Sequence, residues 1–286
     1  MADINAADVK QLREKTGAGM MECKNALVAA EGNFAKAEKL LKEKGLAALE
    51  KRADRATNAG KITIKIKDDG SSAVLVELAS ETDFVARNPD FIALGETMAS
   101  LALEKGYTEP NEELNGMVND LATKIRENMG LKRIKVISAN SHEYLSKYIH
   151  GDGNIGVVVK CHSDRPEIFY DDEVKLFIFT LALHIAAFNP YALDKARIDP
   201  AYISEQEEIF RKLMEKDEKL KSRTPDQLEG ILKGKLNKHF SEICLLDQGY
   251  VKDEKLTVAK ALAEASDKFG ATIEIADYVY LKVGVA

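Results

Sequence analysis

Glu81, Thr82 and Asp83 stand directly before Phe84 and Val85 in the stretch Glu81-Thr82-Asp83-Phe84-Val85-Ala86-Arg87-Asn88-Pro89. Two acids and a hydroxyl this close could in principle work as a catalytic pair, yet on a single turn the carboxylates can face different ways. Acidic residues also gather in the first turn of helices, where the macrodipole favours them. One account therefore makes Thr82 or Asp83 a helix cap with Phe84 tucked into the core. The other makes the segment a surface connection that carries function. The remaining chemistry-bearing residues offer no better centre. The five histidines, His142, His150, His162, His184 and His239, form no HExxH or other metal spacing. Cys161 and His162 are neighbours on a strand-like run, so they point to opposite faces and cannot act as a nucleophile and its base. His184 falls on an apolar helix face, as a packed core residue would. Thr16-Gly17-Ala18-Gly19 follows no strand and lacks Gly-Lys-Ser/Thr, so it reads as a helix-helix turn rather than a phosphate cradle. No enzyme, metal site or cofactor is expected.

The elements that must position Glu81–Pro89 follow from periodicity. Residues 5–45 read as three short helices, with Asn5 and Asn33 as caps, Val9 and Leu12 facing inward, and Gly17, Gly32 and Gly45 as stops. Leu46 to Asn58 suits an exposed helical linker. Lys61 to Lys67 alternates polar and apolar residues, Asp68-Asp69-Gly70 is a turn signal, and Ala73 to Ala79 is a buried return strand. After Glu81–Pro89 come a helix opened by Asn88 and Pro89, a second from Asn111 to Asn128 closed by Gly130, and a strand over Ile134–Ile137. The order then restarts: Tyr144 to Ile149 as strand, His150 to Asn154 as turn, Ile155 to Cys161 as return strand, and a helix capped by Asp171 or Asp172. Its third strand is expected at Thr272–Ile275 or Val279–Val283. Between 203 and 246 the second copy carries an insertion that fits two antiparallel helices joined near Pro225. The fold class is α+β, with a small three-helix domain over 1–54, a first core repeat over 55–140 and a second over 141–286.

Composition narrows the functional class. The chain has 286 residues, 45% hydrophobic and 31% charged, with a net charge of −6. That acidic balance argues against a general nucleic-acid binder. Three scattered cysteines, without a CxxC pair, point to free thiols and a reducing compartment. No apolar run approaches the ~20 residues of a membrane span. Met1 to Asn5 shows no signal-peptide character. A cytoplasmic protein is expected.

Several stretches, in order along the chain, resemble the bacterial translation elongation factor Ts family. They are Val9 to Leu27 with Thr-Gly-Ala-Gly-Met-Met at its centre, Glu81 to Asn88, Tyr148-Ile149-His150-Gly151, His184-Ile185-Ala186-Ala187 before Pro190, and Leu232-Lys233-Gly234-Lys235-Leu236-Asn237-Lys238. Glu22 departs from the family's usual Asp, Asn58-Ala59 replaces Ala-Glu, and longer relatives continue past Val283-Gly284-Val285-Ala286. The resemblance implies a ubiquitin-associated-like N-terminal domain, a duplicated core, a helical hairpin, and a guanine nucleotide exchange factor. Its implied partner is the GTPase elongation factor Tu, without direct nucleic-acid or membrane contact; a homodimer of heterodimers is an arrangement it admits. Thr82, Asp83, Phe84 and Val85 would then meet the partner near its magnesium site, with Ile149 and His150 as a second contact. Leu12, Arg13, Met20 and Met21 would touch the same partner domain elsewhere. The second repeat carries Ser163-Asp164-Arg165-Pro166 where the first carries this motif, and a requirement of packing alone would recur in both. The alternatives are a hydrolase built on Cys161 or an acid-histidine pair, and an RNA-associated accessory protein.

Overall fold

In a computed structural model, which describes residues 4–220 and 222–285, capping residues open the first three helices and left-handed glycines follow the first two. The terminal reading of Met1 to Asp3 lies outside the described residues. Asn5 accepts from the Asp8 amide at 2.8 Å and starts α1 (Ala6–Thr16), which Gly17 closes at φ 68°. Gly19 begins α2 (Met20–Ala29), and Asn33 accepts from Lys36 to start α3 (Phe34–Glu50). Val9, Leu12, Cys23, Ala26, Leu27, Ala37 and Leu41 form their common core. One stop differs from expectation: α3 runs through Gly45 to Glu50. Gly45 is there for closeness, because a β-carbon at that position would run into the side chain of Thr123.

The chain divides into two compact units, one of residues 1–138, 149–156 and 281–286, the other of residues 139–148 and 157–280. In the first, β1 (Ala59–Ile66), β2 (Ser72–Ser80) and β3 (Met129–Ser138) form an antiparallel sheet with β2 in the middle. A short helix α4 (Asp83–Ala86) leads into α5 (Pro89–Lys105), whose cap Asn88 accepts from Asp90 at 2.8 Å, and then α6 (Glu112–Ile125). Val74, Val76 and Leu78 of β2 pack with Phe91, Leu94, Met98, Leu114, Val118 and Ile134. The helix expected to reach Asn128 ends at Ile125, because Arg126 itself takes the left-handed conformation at φ 70°. Strand β3 consequently starts at Met129, and Gly130 lies inside it. On the sheet face bearing Ile62 and Ile64 sits the segment 149–156: the Ile62 amide donates to the Gly153 carbonyl at 2.8 Å, and Gly156 lies where a β-carbon would run into Ile62.

The second unit contains most of the sheet β4 (Glu143–His150), β5 (Ile155–His162) and β8 (Glu274–Lys282), again with the second strand central. Strand β8 covers parts of both segments that the sequence offered as its third strand. A 3-10 turn (Pro166–Tyr170) precedes α7 (Asp172–Phe188). The insertion is α8 (Pro200–Glu215) and α9 (Pro225–Ile243), running antiparallel, as the pairs Tyr202–His239 and Arg211–Glu229 require. Further 3-10 turns lie at Lys195–Arg197, Glu218–Leu220 and Leu245–Asp247. The hairpin of β6 (Gly249–Tyr250) and β7 (Asp253–Thr257), followed by α10 (Val258–Phe269), has no counterpart in the expected elements.

His184 on α7 is fully buried. Its Nδ1 accepts from the Val251 amide at 3.2 Å, which makes Nε2 the protonated nitrogen, donating to Gln248 Oε1 at 3.1 Å. Burial lowers its pKa, against a smaller upward pull from Gln248. A base held neutral in the fold stabilises fully above the ordinary histidine pKa of about 6.5, and that stability is lost as pH falls through the lowered folded value. Wild-type urea midpoints should therefore drop more between pH 7.5 and 5.5 than those of His184→Gln; equal drops would contradict the buried neutral tautomer. Gly156→Ala should cost about 1–3 kcal/mol by overpacking against Ile62, and an unchanged denaturation midpoint would refute that closeness.

Candidate functional site

The register of β2 against β3 determines what surrounds the Glu81 stretch. Ser80 is opposite Met129, so Glu81 and Thr82 emerge from the sheet beside Glu127 and Asn128. The Asn128 amide donates to Glu81 Oε1 at 2.6 Å, and Arg55 reaches Glu81 Oε2 at 3.2 Å. The Asn128 amide is the main cause that lowers the Glu81 pKa, and Arg55 adds to it against desolvation. Glu81 is thereby a structural anchor. Thr82 is extended, at φ −124° and ψ 155°, and its hydroxyl accepts from the Val85 amide at 3.4 Å to cap α4. Its own amide and hydroxyl donate to Glu127 at 3.2 and 2.9 Å, while Ser80 Oγ donates to its carbonyl at 2.9 Å.

A helical turn started in this way has two faces. Val85 and Ala86 point inward and join the core of the first unit. Asp83 and Phe84 point outward, and Phe84 is 81% exposed. The Thr82 cap of the first account is present, but the phenyl ring is outside the core. Leaving a Phe in water forgoes about 1.5–3 kcal/mol of burial. Arg87 closes the turn with ion pairs to Asp83 at 3.5 Å and to Asp152 at 3.3 Å. Such exposed pairs contribute little energy. Their geometry matters more, because Asp152 belongs to the turn that follows the exposed Ile149 and His150. That turn is held by the Gly153 carbonyl on Ile62 and by the Val283 amide, which donates to the Asn154 carbonyl at 3.0 Å. Through Arg87, the turn that carries Asp83 and Phe84 is tied to the turn that follows Ile149 and His150.

The N-terminal residues separate into two sets. Leu12 is fully buried at the centre of the three-helix core, whereas Arg13 is exposed and Met20 and Met21 are 45% and 65% exposed on α2. The module meets α6 through the close approach of Gly45 to Thr123 and through charge. Glu22 pairs with Arg126 and with Lys44 at 3.1 Å, and Lys42 pairs with Asp120 at 2.8 Å. The Gly19 amide, then Lys44 and Arg126, hold the Glu22 carboxyl down to about 2 despite some desolvation.

Sequence reasoning missed Arg126, Glu127, Asn128 and Asp152. Nothing local marks them, since each gains its partner through strand register or a distant turn. Cys161 is wholly buried on β5, and burial pushes its thiol pKa far up, away from the reactive thiolate. Among the described residues no group of three or more His, Cys, Asp and Glu could hold a metal. No described helix is long and apolar enough to cross a membrane.

Comparison with known proteins gives a consistent result. The sequence pattern of the family described as Elongation factor TS matches residues 81–285, beginning at the first residue of the central stretch. A protein named Elongation factor Ts in Treponema denticola is 50% identical over 284 residues, covering 99% of both chains. Proteins of the same name in Treponema pallidum and Clostridium acetobutylicum are 45% and 38% identical, covering 99% and 98% of this chain and 99% and 92% of their own. With that likeness running through the capped turn, the hairpin and the N-terminal module alike, the chain belongs to the elongation factor Ts family of bacterial translation elongation factors.

Proposed function

We propose that this chain is the guanine nucleotide exchange factor of elongation factor Tu, and that Asp83 and Phe84 disturb the partner's magnesium and nucleotide site so that GDP leaves and GTP can enter. The observation that carries the reading is a phenyl ring 81% exposed on a turn whose backbone is bonded on three sides. A ring carried on a fixed backbone spends little binding energy on ordering the turn beneath it when it enters a pocket, so more of that energy is available to displace what occupies the pocket. Thr82 and Val85 serve the same step from inside, as cap and anchor. Ile149 and His150 supply a second contact. Arg13, Met20 and Met21 give the N-terminal module, whose three-helix build suits a ubiquitin-associated-like domain, an outward surface for the same partner.

Exchange follows from linkage. A factor that binds the nucleotide-free partner better than the GDP-bound one must weaken GDP binding by the same factor. Reversing a 1:99 equilibrium to 99:1 needs about 5.5 kcal/mol of differential affinity. Burying one Phe gives about 1.5–3 kcal/mol, so the ring works with the other contacts rather than alone. The place of action is the cytoplasm, where translation occurs.

Phe84→Ala should slow factor-stimulated release of a fluorescent GDP analogue about 10- to 100-fold, the kinetic equivalent of that burial energy. Its circular dichroism melt should match wild type, because the ring is outside the core. Undiminished stimulation would refute the wedge. His150→Ala should cost only a few-fold, on the order expected for one rim contact.

A further inference from the structure

We propose that Glu127 is a positioning residue for the Asp83-Phe84 turn, acting through Thr82 and never touching the partner. The proposal rests on the exchange reading above and adds a residue to it. A carboxylate only accepts hydrogen bonds. Thr82 presents two donors to Glu127, its amide at 3.2 Å and its hydroxyl at 2.9 Å. A hydroxyl has one hydrogen. Once that hydrogen points to Glu127, only lone pairs remain toward the Val85 amide at 3.4 Å, and the hydroxyl becomes a cap of fixed polarity. Helix α4 has four residues, too few to hold its shape alone, so the direction of Phe84 depends on this cap.

The flanking residues make the arrangement specific. Arg126 turns the chain through a left-handed conformation and commits its guanidinium to Glu22 of α2. Asn128 donates its amide to Glu81, and its side chain donates to the carbonyls of Ala53 and Arg55 at 3.1 and 2.8 Å. Three consecutive residues thus join the N-terminal module, the wedge turn and the segment between α3 and β1. A plain link from α6 to β3 needs none of these bonds.

The test uses Glu127→Gln. Glutamine has one acceptor oxygen for two donors and turns its NH2 toward the other, so the cap loses its fixed polarity. The chain contains no tryptophan, so Phe84→Trp places a single tryptophan, excited apart from the nine tyrosines, at the tip of the turn. The expected result is lower fluorescence anisotropy of Trp at 84 when Glu127→Gln is present. The maximal rate of stimulated GDP release should fall about tenfold, as for one lost charge-assisted hydrogen bond. The half-saturating factor concentration should change far less. In a Phe84→Ala background Glu127→Gln should cost clearly less of that rate than it does in wild type, since only Asp83 remains to be aimed. Unchanged anisotropy, or an equal loss of rate with and without Phe84, would overturn the proposal. Should Glu127→Gln melt early, Thr82→Val decides: it removes the hydroxyl that Glu127 orients and should lower both anisotropy and rate, and wild-type values of either would overturn the proposal. A drop in anisotropy together with a wild type that fails to release GDP would sink the exchange reading and leave the positioning role standing.

Discussion

A phenyl ring in water has no hydrophobic reason to keep its place, so everything about Phe84 depends on the hydrogen-bonded turn beneath it. That turn exists because β2 and β3 end in register, Ser80 opposite Met129, which delivers Glu81 and Thr82 to Asn128 and Glu127. The sheet sets the register, the register sets the bonds, and the bonds set the cap. Val85 and Ala86 then pull the inner side of α4 into the core while its outer side stays wet. An N-cap of this type stabilises by about 1 kcal/mol. A four-residue helix therefore needs the Glu127 and Glu81 bonds as well as its cap to stay in one shape.

The first unit receives its other pieces by close approach rather than by large apolar area. Gly156 lets the 149–156 segment lie directly on Ile62, and Gly45 lets α3 lie directly on Thr123 of α6. Charge adds to that contact, through Glu22 with Arg126 and through Lys42 with Asp120. Half-exposed ion pairs orient more than they stabilise. A module held in this manner keeps Met20 and Met21 outward without removing them from water.

The sequence was informative where a local residue type carries its own geometry. Asn5, Asn33, Asn88 and Pro89 announced their helices, the alternation at Lys61–Lys67 announced β1, and Pro225 marked the start of the second hairpin helix. It failed where geometry comes from elsewhere. Gly45 looks like a stop and is a close approach, because its partner Thr123 is distant in sequence. Arg126 ends α6 in a left-handed conformation that arginine does not advertise. Glu127 meets Thr82 across 45 residues through strand register alone. Composition pointed Phe84 toward the core, since aromatic residues are usually buried; only the motif's absence from the second repeat and the family resemblance turned it outward, where it is exposed. Leu12 illustrates the converse: it lies in a stretch that the family resemblance turns toward a partner, yet helical periodicity placed it inward, where it is fully buried.

The central claim is that Phe84 binds the nucleotide-free partner in preference to the GDP-bound one. The most direct measurement is the affinity of wild type and Phe84→Ala for elongation factor Tu in both states, by titration calorimetry at one salt concentration. The substitution should weaken binding to the nucleotide-free form by about tenfold or more and leave binding to the GDP form almost unaltered. An equal loss in both states would contradict it, because uniform binding cannot expel a nucleotide.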